Sequence, residues 1–295
     1  MKKKVLFIVN PKSGKGSIRS KLLDIVDIFV KAGFDLTLYI SQSAGDARAK
    51  AKEVEGRYEL VICSGGDGTL DEVISGMMEC EKRSAIGYIP CGSTNDFAHS
   101  LKIPTSMTKA AEHIAAWKEF PCDIGRFNDD YFVYIAAFGL FTDVSYETSQ
   151  DVKNVLGHLA YILEGMKKLT EIKSYPMKVE SEEMTLEGNF LFGMVTNSTS
   201  VGGFRNITGK HVHLDDGVFE VTLIKTPQNI LELNEIIQAV IAGKSENNKY
   251  FYQFRSKAVK FISGDPVAWT LDGEFGGYHE VVDVKNDKQA LSLLV

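Results

Sequence analysis

The chain has 295 residues, of which 44% are hydrophobic, 24% charged and 10% aromatic. These fractions are typical of a globular protein and exclude collagen-like, coiled-coil and intrinsically disordered chains. The 33 basic and 39 acidic side chains give a net charge of −6, which argues against a nucleic-acid-binding protein because such proteins usually carry a basic face.

The first third of the chain alternates short apolar runs with helix-spaced patterns. The apolar runs, which predict strands, are residues 5–9, 36–40, 60–63 and 85–89. The helix-spaced patterns cover residues 15–31, 43–55, 69–78, 95–101 and 107–117. Because this alternation is typical of a parallel sheet with helices on both faces, we predict an α/β domain over residues 1–125, which the tail at about 285–295 can extend.

The pattern changes after about residue 120. Short strand-like runs cover residues 131–137, 177–180, 189–196, 218–225, 250–254, 258–262, 267–271 and 279–284. Helical patterns interrupt them near residues 152–172 and 227–242. This arrangement predicts an antiparallel β-rich domain over residues 126–284.

Cysteine spacing and hydropathy indicate the compartment. The four cysteines are far apart and form no CxxC pair, which favours reduced thiols over zinc binding or disulfides. The apolar run after the N-terminal lysines is too short for a secretory signal, and no segment approaches the roughly 20 apolar residues of a membrane span. We therefore expect a cytoplasmic protein, with peripheral membrane association as the alternative.

Three glycine-rich turns each follow a predicted strand and precede a predicted helix. They are NPKSGKG at 10–16, GGDGT at 65–69 and PCGSTND at 90–96. In a parallel sheet such turns lie at the carboxyl edge of the strands, where ligands bind. Glycine lets backbone N–H groups approach an anion closely, and a helix N-terminus adds a positive partial charge. A single turn of this kind can be an ordinary loop between a strand and a helix, but three together predict a phosphate site.

Familiar phosphate motifs do not match these turns. A Walker A loop needs Ser or Thr after its lysine, but Gly16 follows Lys15. The GxGxxG fingerprint also fails, because Arg19 and Asp71 stand where a third glycine is required. A P-loop NTPase and a Rossmann dehydrogenase are therefore disfavoured.

The acidic and basic residues of the turns suggest a metal-assisted reaction. Asp67 would repel a bare phosphate, so its position indicates Mg²⁺ between carboxylate and phosphate. Asp96 offers a second carboxylate, although it can also cap a helix. Lys15 and Arg19 are one turn apart on the predicted first helix, where both can face one anion. This set is what phosphoryl transfer needs.

The chain resembles the diacylglycerol kinase catalytic-domain family, which includes soluble bacterial lipid kinases related to sphingosine and ceramide kinases. The resemblance covers essentially the whole chain. It rests on NPKSG at 10–14, GGDGTLDEV at 65–73, PCGSTNDFA at 90–98, DDG at 215–217 and LDGE at 271–274. GGDGT is shared with NAD kinases, whereas the third turn and the late DGE are more specific. The implied fold is α/β: a parallel-sheet nucleotide domain like that of NAD and diacylglycerol kinases, followed by an antiparallel β domain that takes the lipid.

The resemblance implies ATP and Mg²⁺ as cofactors. The positions assigned to the nucleotide are Asn10, Lys15, Arg19, Ser41, Gly65, Gly66, Asp67, Gly68, Thr69, Thr94 and Asn95. Asp67 and Asp96, with Glu274 as a further candidate, are implied to organise Mg²⁺ through water. The general base is implied to be Asp272 or Glu274, and the choice stays open. From the residues alone, this DGE turn is equally well a plain hairpin.

Some relatives carry a second, structural Mg²⁺ in the β domain. Here its implied ligands are the Asp216 side chain and the backbone carbonyls of His213 and Val218. Two departures from the family pattern bear on these sites. Asp71 stands where the family usually has Asn, and the usual Pro-x-Ala step before Asp216 is missing. A zinc site at His211 and His213 is set aside because no third ligand is in sight.

We therefore expect an ATP-dependent lipid kinase of phospholipid metabolism that converts diacylglycerol to phosphatidic acid. The alternatives are an NAD kinase-like enzyme and a non-catalytic nucleotide-binding regulatory module. The expected partner is a lipid substrate at the membrane surface, without nucleic acid or a transmembrane segment, and a homodimer is allowed. The basic amphipathic pattern at 152–172 favours core packing, with membrane contact as the alternative.

Overall fold

The computed structural model describes residues 2–92, 95–139, 172–198, 200–201, 204–205, 212–242 and 248–295. The chain forms two compact units. Unit 1 comprises Met1–Ile124 and Lys288–Val295, and unit 2 comprises Gly125–Asp287. The helix predicted at 152–172 lies outside the described residues except for its last position, Ile172.

Unit 1 contains a parallel sheet. Its strands are β1 (Lys3–Val9), β2 (Phe34–Ile40), β3 (Leu60–Gly65) and β4 (Ala85–Pro90). They lie in the order β4-β3-β1-β2, and the tail residues Leu293 and Leu294 pair in parallel with β4. The continuous apolar runs of β1 and β3 are buried, as expected for strands covered on both faces. The four predicted strands are confirmed.

Helices connect these strands and follow β4. They are α1 (Leu22–Lys31), α2 (Asp46–Glu53), α3 (Asp67–Met78), α4 (Asp96–Ser100) and α5 (Met107–Ala115). In α1, Ile25 and Phe29 are four residues apart and lie on one buried face. The Phe29 ring meets Phe7 of β1 edge-on, with ring centroids 5.8 Å apart. Burial of each of these side chains contributes about 1.5–3 kcal/mol.

The helix predicted over residues 15–31 is wrong at its start. Residues Ser13–Ser20 form a 3-10 segment, and α1 begins only at Leu22. Gly14, Lys15 and Gly16 interrupt this segment with left-handed conformations, with φ of 53°, 59° and 74°. The two glycines adopt this conformation without strain, whereas Lys15 adopts it at an energetic cost. Lys15 and Arg19 are therefore not one turn apart on an α-helix, although both are exposed.

Unit 2 is antiparallel, and β5 (Glu119–Phe127) leads into it. The later strands are β6 (Asp130–Phe132), β7 (Ile135–Gly139), β8 (Tyr175–Ser181), β9 (Thr185–Thr196), β10 (Ser200–Val201), β11 (Phe204–Arg205), β12 (Phe219–Lys225), β13 (Phe251–Ser256), β14 (Ala258–Leu271) and β15 (Glu274–Leu294). One helix, α6 (Ile230–Ala242), lies between β12 and β13. The main sheet runs β13-β12-β9-β7-β14-β15, and β8 pairs with β9 and β14.

The core of unit 2 is aromatic. Trp269 is fully buried, and its ring lies 4.9–5.1 Å from those of Phe127, Phe138 and Phe261. The two strands predicted at 258–262 and 267–271 are one strand, β14, whose register with β15 shifts in between. The run predicted at 131–137 is instead divided into β6 and β7. Along the described stretches of the chain, no helix is both long enough and apolar enough to span a bilayer.

Candidate active site

The three glycine-rich turns come together at one edge of the unit 1 sheet. They follow β1, β3 and β4, which are neighbours in that sheet. The Asn10 backbone N–H donates to the Ser64 carbonyl over 2.9 Å, and the Cys91 N–H donates to the Gly65 carbonyl over 2.8 Å. These bonds continue the pairing of the strands into the turns, so the three segments are held in fixed relative positions.

Asn10 adds a side-chain link between the first two turns. Its Nδ2 donates to Oγ1 of Thr69 over 2.9 Å, and its Oδ1 accepts the Lys12 N–H over 3.0 Å. Thr69 lies in the first turn of α3 and is 7% exposed. The Asn10 and Thr69 side chains therefore position the turns, while the backbone N–H groups of the turns are the groups suited to an anion.

Two glycine contacts explain why the turns can approach so closely. A Cβ at Gly14 would lie 1.7 Å from the Cys91 carbonyl oxygen, so the first turn touches the third through bare backbone. A Cβ at Gly92 would lie 2.6 Å from Cα of Gly66, so the second and third turns also meet without side chains. Any larger residue at these positions would push the turns apart.

Replacing Gly14 with alanine is expected to weaken ATP binding and stability together. The clash with Cys91 adds to the strain of a left-handed residue, which alone costs roughly 1–2 kcal/mol. Gly33→Ala is the matched control, because Gly33 has φ of +83° but open space where the Cβ would be. Urea denaturation and ATP titration compare the two variants. Equal losses in both would show that backbone strain, and not the close approach, explains the effect.

Asp67 lies within the second turn and is the first residue of α3. A carboxylate at a helix N-terminus is stabilised by the helix dipole. Beneath the turns, burial raises the pKa of the Tyr88 hydroxyl well above its ordinary value, and the charge of Asp67 raises it further. The Tyr88 Oη lies 3.3 Å from the Gly65 carbonyl oxygen. Asp67 therefore places a negative charge at the edge where the turns converge.

Asn95 and Ser41 have structural contacts of their own. The Asn95 side chain accepts the Gly92 N–H over 3.0 Å and donates to the Gly92 carbonyl over 2.9 Å. Asn95 is 9% exposed, and its two hydrogen bonds to Gly92 stabilise the conformation of the third turn. Ser41 follows β2, and its N–H donates to the Val9 carbonyl over 3.0 Å. Thr94 and the side chain of Asp96 lie outside the described residues.

The late DGE motif is a tight hairpin between β14 and β15. Asp272 and Gly273 have φ of 51° and 86°, as a two-residue hairpin turn of the primed type requires. The Asp272 carboxylate accepts the N–H groups of Val133, Tyr134 and Ile135 over 2.5, 2.9 and 2.9 Å. Asp272 is 5% exposed, whereas Glu274 is exposed. The two acids of the motif thus have different surroundings.

The loop before β12 holds the residues implied for a second Mg²⁺. Asp216 Oδ1 accepts the Val218 N–H over 3.1 Å, and its Oδ2 forms an ion pair with Arg255. Arg255 Nε also donates to Glu220 Oε1 over 3.2 Å. Burial raises the pKa of Glu220 to about 7, against the opposing charge of Arg255. A metal at Asp216 would therefore compete with the Arg255 guanidinium, and the second Mg²⁺ stays a prediction.

Because Arg255 pairs with Asp216, we expect the stability of the protein not to depend on Mg²⁺ at this loop. In nucleotide-free protein, wild-type melting temperature should not respond to millimolar Mg²⁺ or to EDTA. Arg255→Gln should melt several degrees lower, because it leaves Asp216 and the buried Glu220 without their cation. Lys260→Gln, which removes the exposed partner of Asp283, should melt like wild type. A wild-type melting temperature that falls on metal removal would contradict this account.

Several of these contacts carry no sequence signal. The anchoring of Asp272 by residues 133–135, the Asn10–Thr69 link and the Arg255–Asp216 pair all join residues far apart in sequence. A single sequence does not reveal such contacts, whereas pairs of positions that covary among related sequences can reveal them. Within the described part of the chain, no three His, Cys, Asp or Glu side chains form a ready metal cluster.

Two family models match the chain. Residues 4–127 match the diacylglycerol kinase catalytic domain. Residues 137–295 match the YegS C-terminal NAD kinase beta sandwich-like domain. These two matches confirm the predicted fold class.

Curated relatives give the family. A diacylglycerol kinase of Staphylococcus carnosus (strain TM300) is 35% identical over 94% of this chain and 90% of its own length. A diacylglycerol kinase of Bacillus subtilis (strain 168) is 33% identical over 93% of this chain and 91% of its own. The chain belongs to the diacylglycerol kinase catalytic-domain family, which confirms the resemblance seen in its motifs. The predicted enzyme class is confirmed, and neither alternative function is favoured.

A solved structure shares the fold. The crystal structure of a diacylglycerol kinase from Bacillus anthracis str. Sterne superposes with a TM-score of 0.77. The match covers 99% of this chain and 96% of the solved chain, at 23% sequence identity. At that identity the likeness describes the fold and not the substrate.

Proposed function

We propose that this enzyme transfers the γ-phosphate of ATP to the free hydroxyl of diacylglycerol, giving phosphatidic acid. The observation that carries the proposal is the convergence of three glycine turns, which are tied together by hydrogen bonds of 2.8–2.9 Å. The second of these turns contains Asp67. The choice of diacylglycerol rests on two relatives named diacylglycerol kinase, which are 35% and 33% identical to this chain.

We assign the nucleotide to unit 1, as the predicted domain at 1–125 with its C-terminal tail. Backbone N–H groups of the three turns would receive the phosphates, and the exposed Lys15 and Arg19 would add positive charge. Asp67 and Asp96 would hold Mg²⁺, since carboxylate oxygen is the ligand that Mg²⁺ prefers. When bound, the ion would neutralise the charge of the phosphates. The lipid is assigned to the β-rich domain predicted at 126–284.

The surroundings of the two hairpin acids support Glu274 as the general base. Asp272 is buried, and three backbone N–H groups occupy its oxygens. The exposed Glu274 has room to accept a proton from a substrate hydroxyl. Asp272 is then a positioning residue, which fixes the turn that carries Glu274.

The proposed reaction is an in-line displacement. The diacylglycerol oxygen forms a bond to the γ-phosphorus, and its proton goes to Glu274. The bond between the γ-phosphorus and the β–γ bridging oxygen breaks, and ADP leaves with that electron pair. Positioning of the two reactants and removal of the hydroxyl proton are the contributions of this chain. The cytoplasmic location, contact with the membrane surface and the homodimer stay predictions.

Transfer from γ-labelled ATP tests this function. The enzyme is incubated separately with diacylglycerol, ceramide and sphingosine in detergent micelles and with NAD in buffer. We expect label in the organic phase with diacylglycerol as the preferred acceptor. Label on NAD would instead support an NAD kinase-like enzyme. ATP binding without transfer to any acceptor would support the non-catalytic module.

A further inference from the structure

Glu72 joins two helices of unit 1. It lies on α3, five residues after Asp67, and is half-buried. Its Oε1 accepts the Gly45 N–H over 2.9 Å, and its Oε2 accepts the Ala47 N–H over 3.1 Å. Each carboxylate oxygen therefore holds one backbone group at the start of α2.

The start of α2 depends on this carboxylate. The first N–H groups of a helix have no partner within that helix, and the residue before the helix often supplies a side-chain oxygen for one of them. In α2 this residue is Gly45, which has no side chain and provides no such bond. Glu72 supplies the acceptor from the neighbouring helix instead.

Close packing fixes the spacing of the two helices. Gly76 lies one turn after Glu72, on the same face of α3. A Cβ at Gly76 would lie 2.4 Å from the Arg48 carbonyl oxygen and 2.9 Å from the Ala51 Cβ. Because α2 and α3 meet through bare backbone at this position, the Glu72 side chain bridges a short and well-defined distance.

The segment between β2 and α2 connects this contact to Ser41. Ser41 is 9% exposed, and its N–H donates to the Val9 carbonyl over 3.0 Å. The Gln42 N–H donates to Asp46 Oδ2 over 2.7 Å, which closes the loop on itself. One end of the loop is therefore held by the sheet, and the other end is held by Glu72.

Hydrogen bonds form a closed path that includes this loop. On α3, the Thr69 hydroxyl accepts from Asn10, which follows Val9 in the chain. Val9 in turn accepts the Ser41 N–H, and the loop after Ser41 returns to α3 through Glu72. Ser41 is thus connected to α3 from both sides.

We propose that Glu72 is a positioning residue for ATP, which holds Ser41 in place through the loop after β2. The proposal rests on the proposed function and on the assignment of Ser41 to the nucleotide. Both Glu72 oxygens accept backbone N–H groups, so the carboxylate acts on the loop. A loop that is already ordered loses less conformational freedom when a ligand binds. Without Glu72, ATP should therefore bind more weakly, while transfer of the bound phosphate should change less.

The test measures binding of a non-hydrolysable ATP analogue with Mg²⁺ by calorimetry, so that no acceptor is needed. Glu72→Ala should raise the dissociation constant about tenfold, because two hydrogen bonds to a charged group are lost. Glu72→Gln keeps one acceptor oxygen and should give a smaller rise. In kinetic assays, Glu72→Ala should raise the KM for ATP more than it lowers kcat.

Glu55→Ala is the matched control. The Glu55 carboxylate accepts the N–H groups of Glu81 and Lys82, each over 2.8 Å, so it also holds two backbone groups of a distant segment. These residues precede β3 and β4, at the opposite edge of the sheet from the glycine turns. Glu55→Ala should lower the melting temperature as Glu72→Ala does, but it should bind the analogue like wild type.

A double-mutant cycle with Ser41→Ala decides whether Glu72 acts through Ser41. If it does, Glu72→Ala should raise the dissociation constant much less in the Ser41→Ala background than in wild type. Additive effects, a Ser41→Ala variant that binds like wild type, or an equal loss of binding in Glu55→Ala would overturn the proposal. If wild type binds the analogue but phosphorylates no acceptor, the proposed function fails, while the cycle still reports on Glu72.

Discussion

Asp67→Asn is expected to lose nearly all phosphate transfer while leaving the enzyme folded. The amide has nearly the shape of the carboxylate but lacks the charge that would hold Mg²⁺ against the phosphates. Loss of a group that stabilises the transferring phosphoryl costs about 10²–10³-fold in turnover. Turnover with saturating ATP and diacylglycerol, together with the melting temperature, measures both effects.

Asp71→Asn is the control for this prediction. It removes the same charge from the same helix, four residues later, at a position where the family usually has Asn. It should therefore keep most of its activity. A near-normal rate in Asp67→Asn, or equal losses in the two variants, would refute the metal role of Asp67.

Glu274→Gln and Asp272→Asn are expected to lose activity for different reasons. Loss of a general base costs about 10²–10⁴-fold in turnover, so Glu274→Gln should be stable and nearly inactive. Asp272→Asn keeps one side-chain oxygen that can accept a hydrogen bond. The other oxygen is replaced by an NH₂ group, which cannot accept the backbone N–H group that faces it. Leaving buried groups unsatisfied costs about 1–3 kcal/mol each. This variant should lose stability and turnover together.

Urea denaturation and steady-state kinetics on both variants separate these roles. If Asp272→Asn were as stable as wild type and inactive while Glu274→Gln stayed active, the two assignments would have to be exchanged. A mild loss in both would argue against a proton acceptor in this turn.

The sequence alone predicts those parts of the structure that are determined by neighbouring residues. The strands of unit 1 are continuous apolar runs, and burial on both faces leaves few other structures for them. The three glycine turns were also recognisable, because a turn between a buried strand and a helix has a characteristic composition.

The remaining features depend on contacts between distant segments. Residues 15–20 have helix-compatible spacing, but the left-handed turn at Gly14 is set by its contact with Cys91. The two acids of the DGE motif look equivalent in sequence, and only the approach of residues 133–135 distinguishes them. Residue types predict the chemistry of a site, whereas tertiary contacts decide the role of each residue.

Hydrogen exchange with a bound, non-hydrolysable ATP analogue and Mg²⁺ tests the central claim most directly. If the triphosphate is held by the three turns, amide exchange should slow in peptides covering residues 10–16, 64–70 and 90–96, relative to the nucleotide-free enzyme. Peptides from β12 and β13 should be unaffected. Protection confined to unit 2, or limited to one of the three turns, would contradict the account.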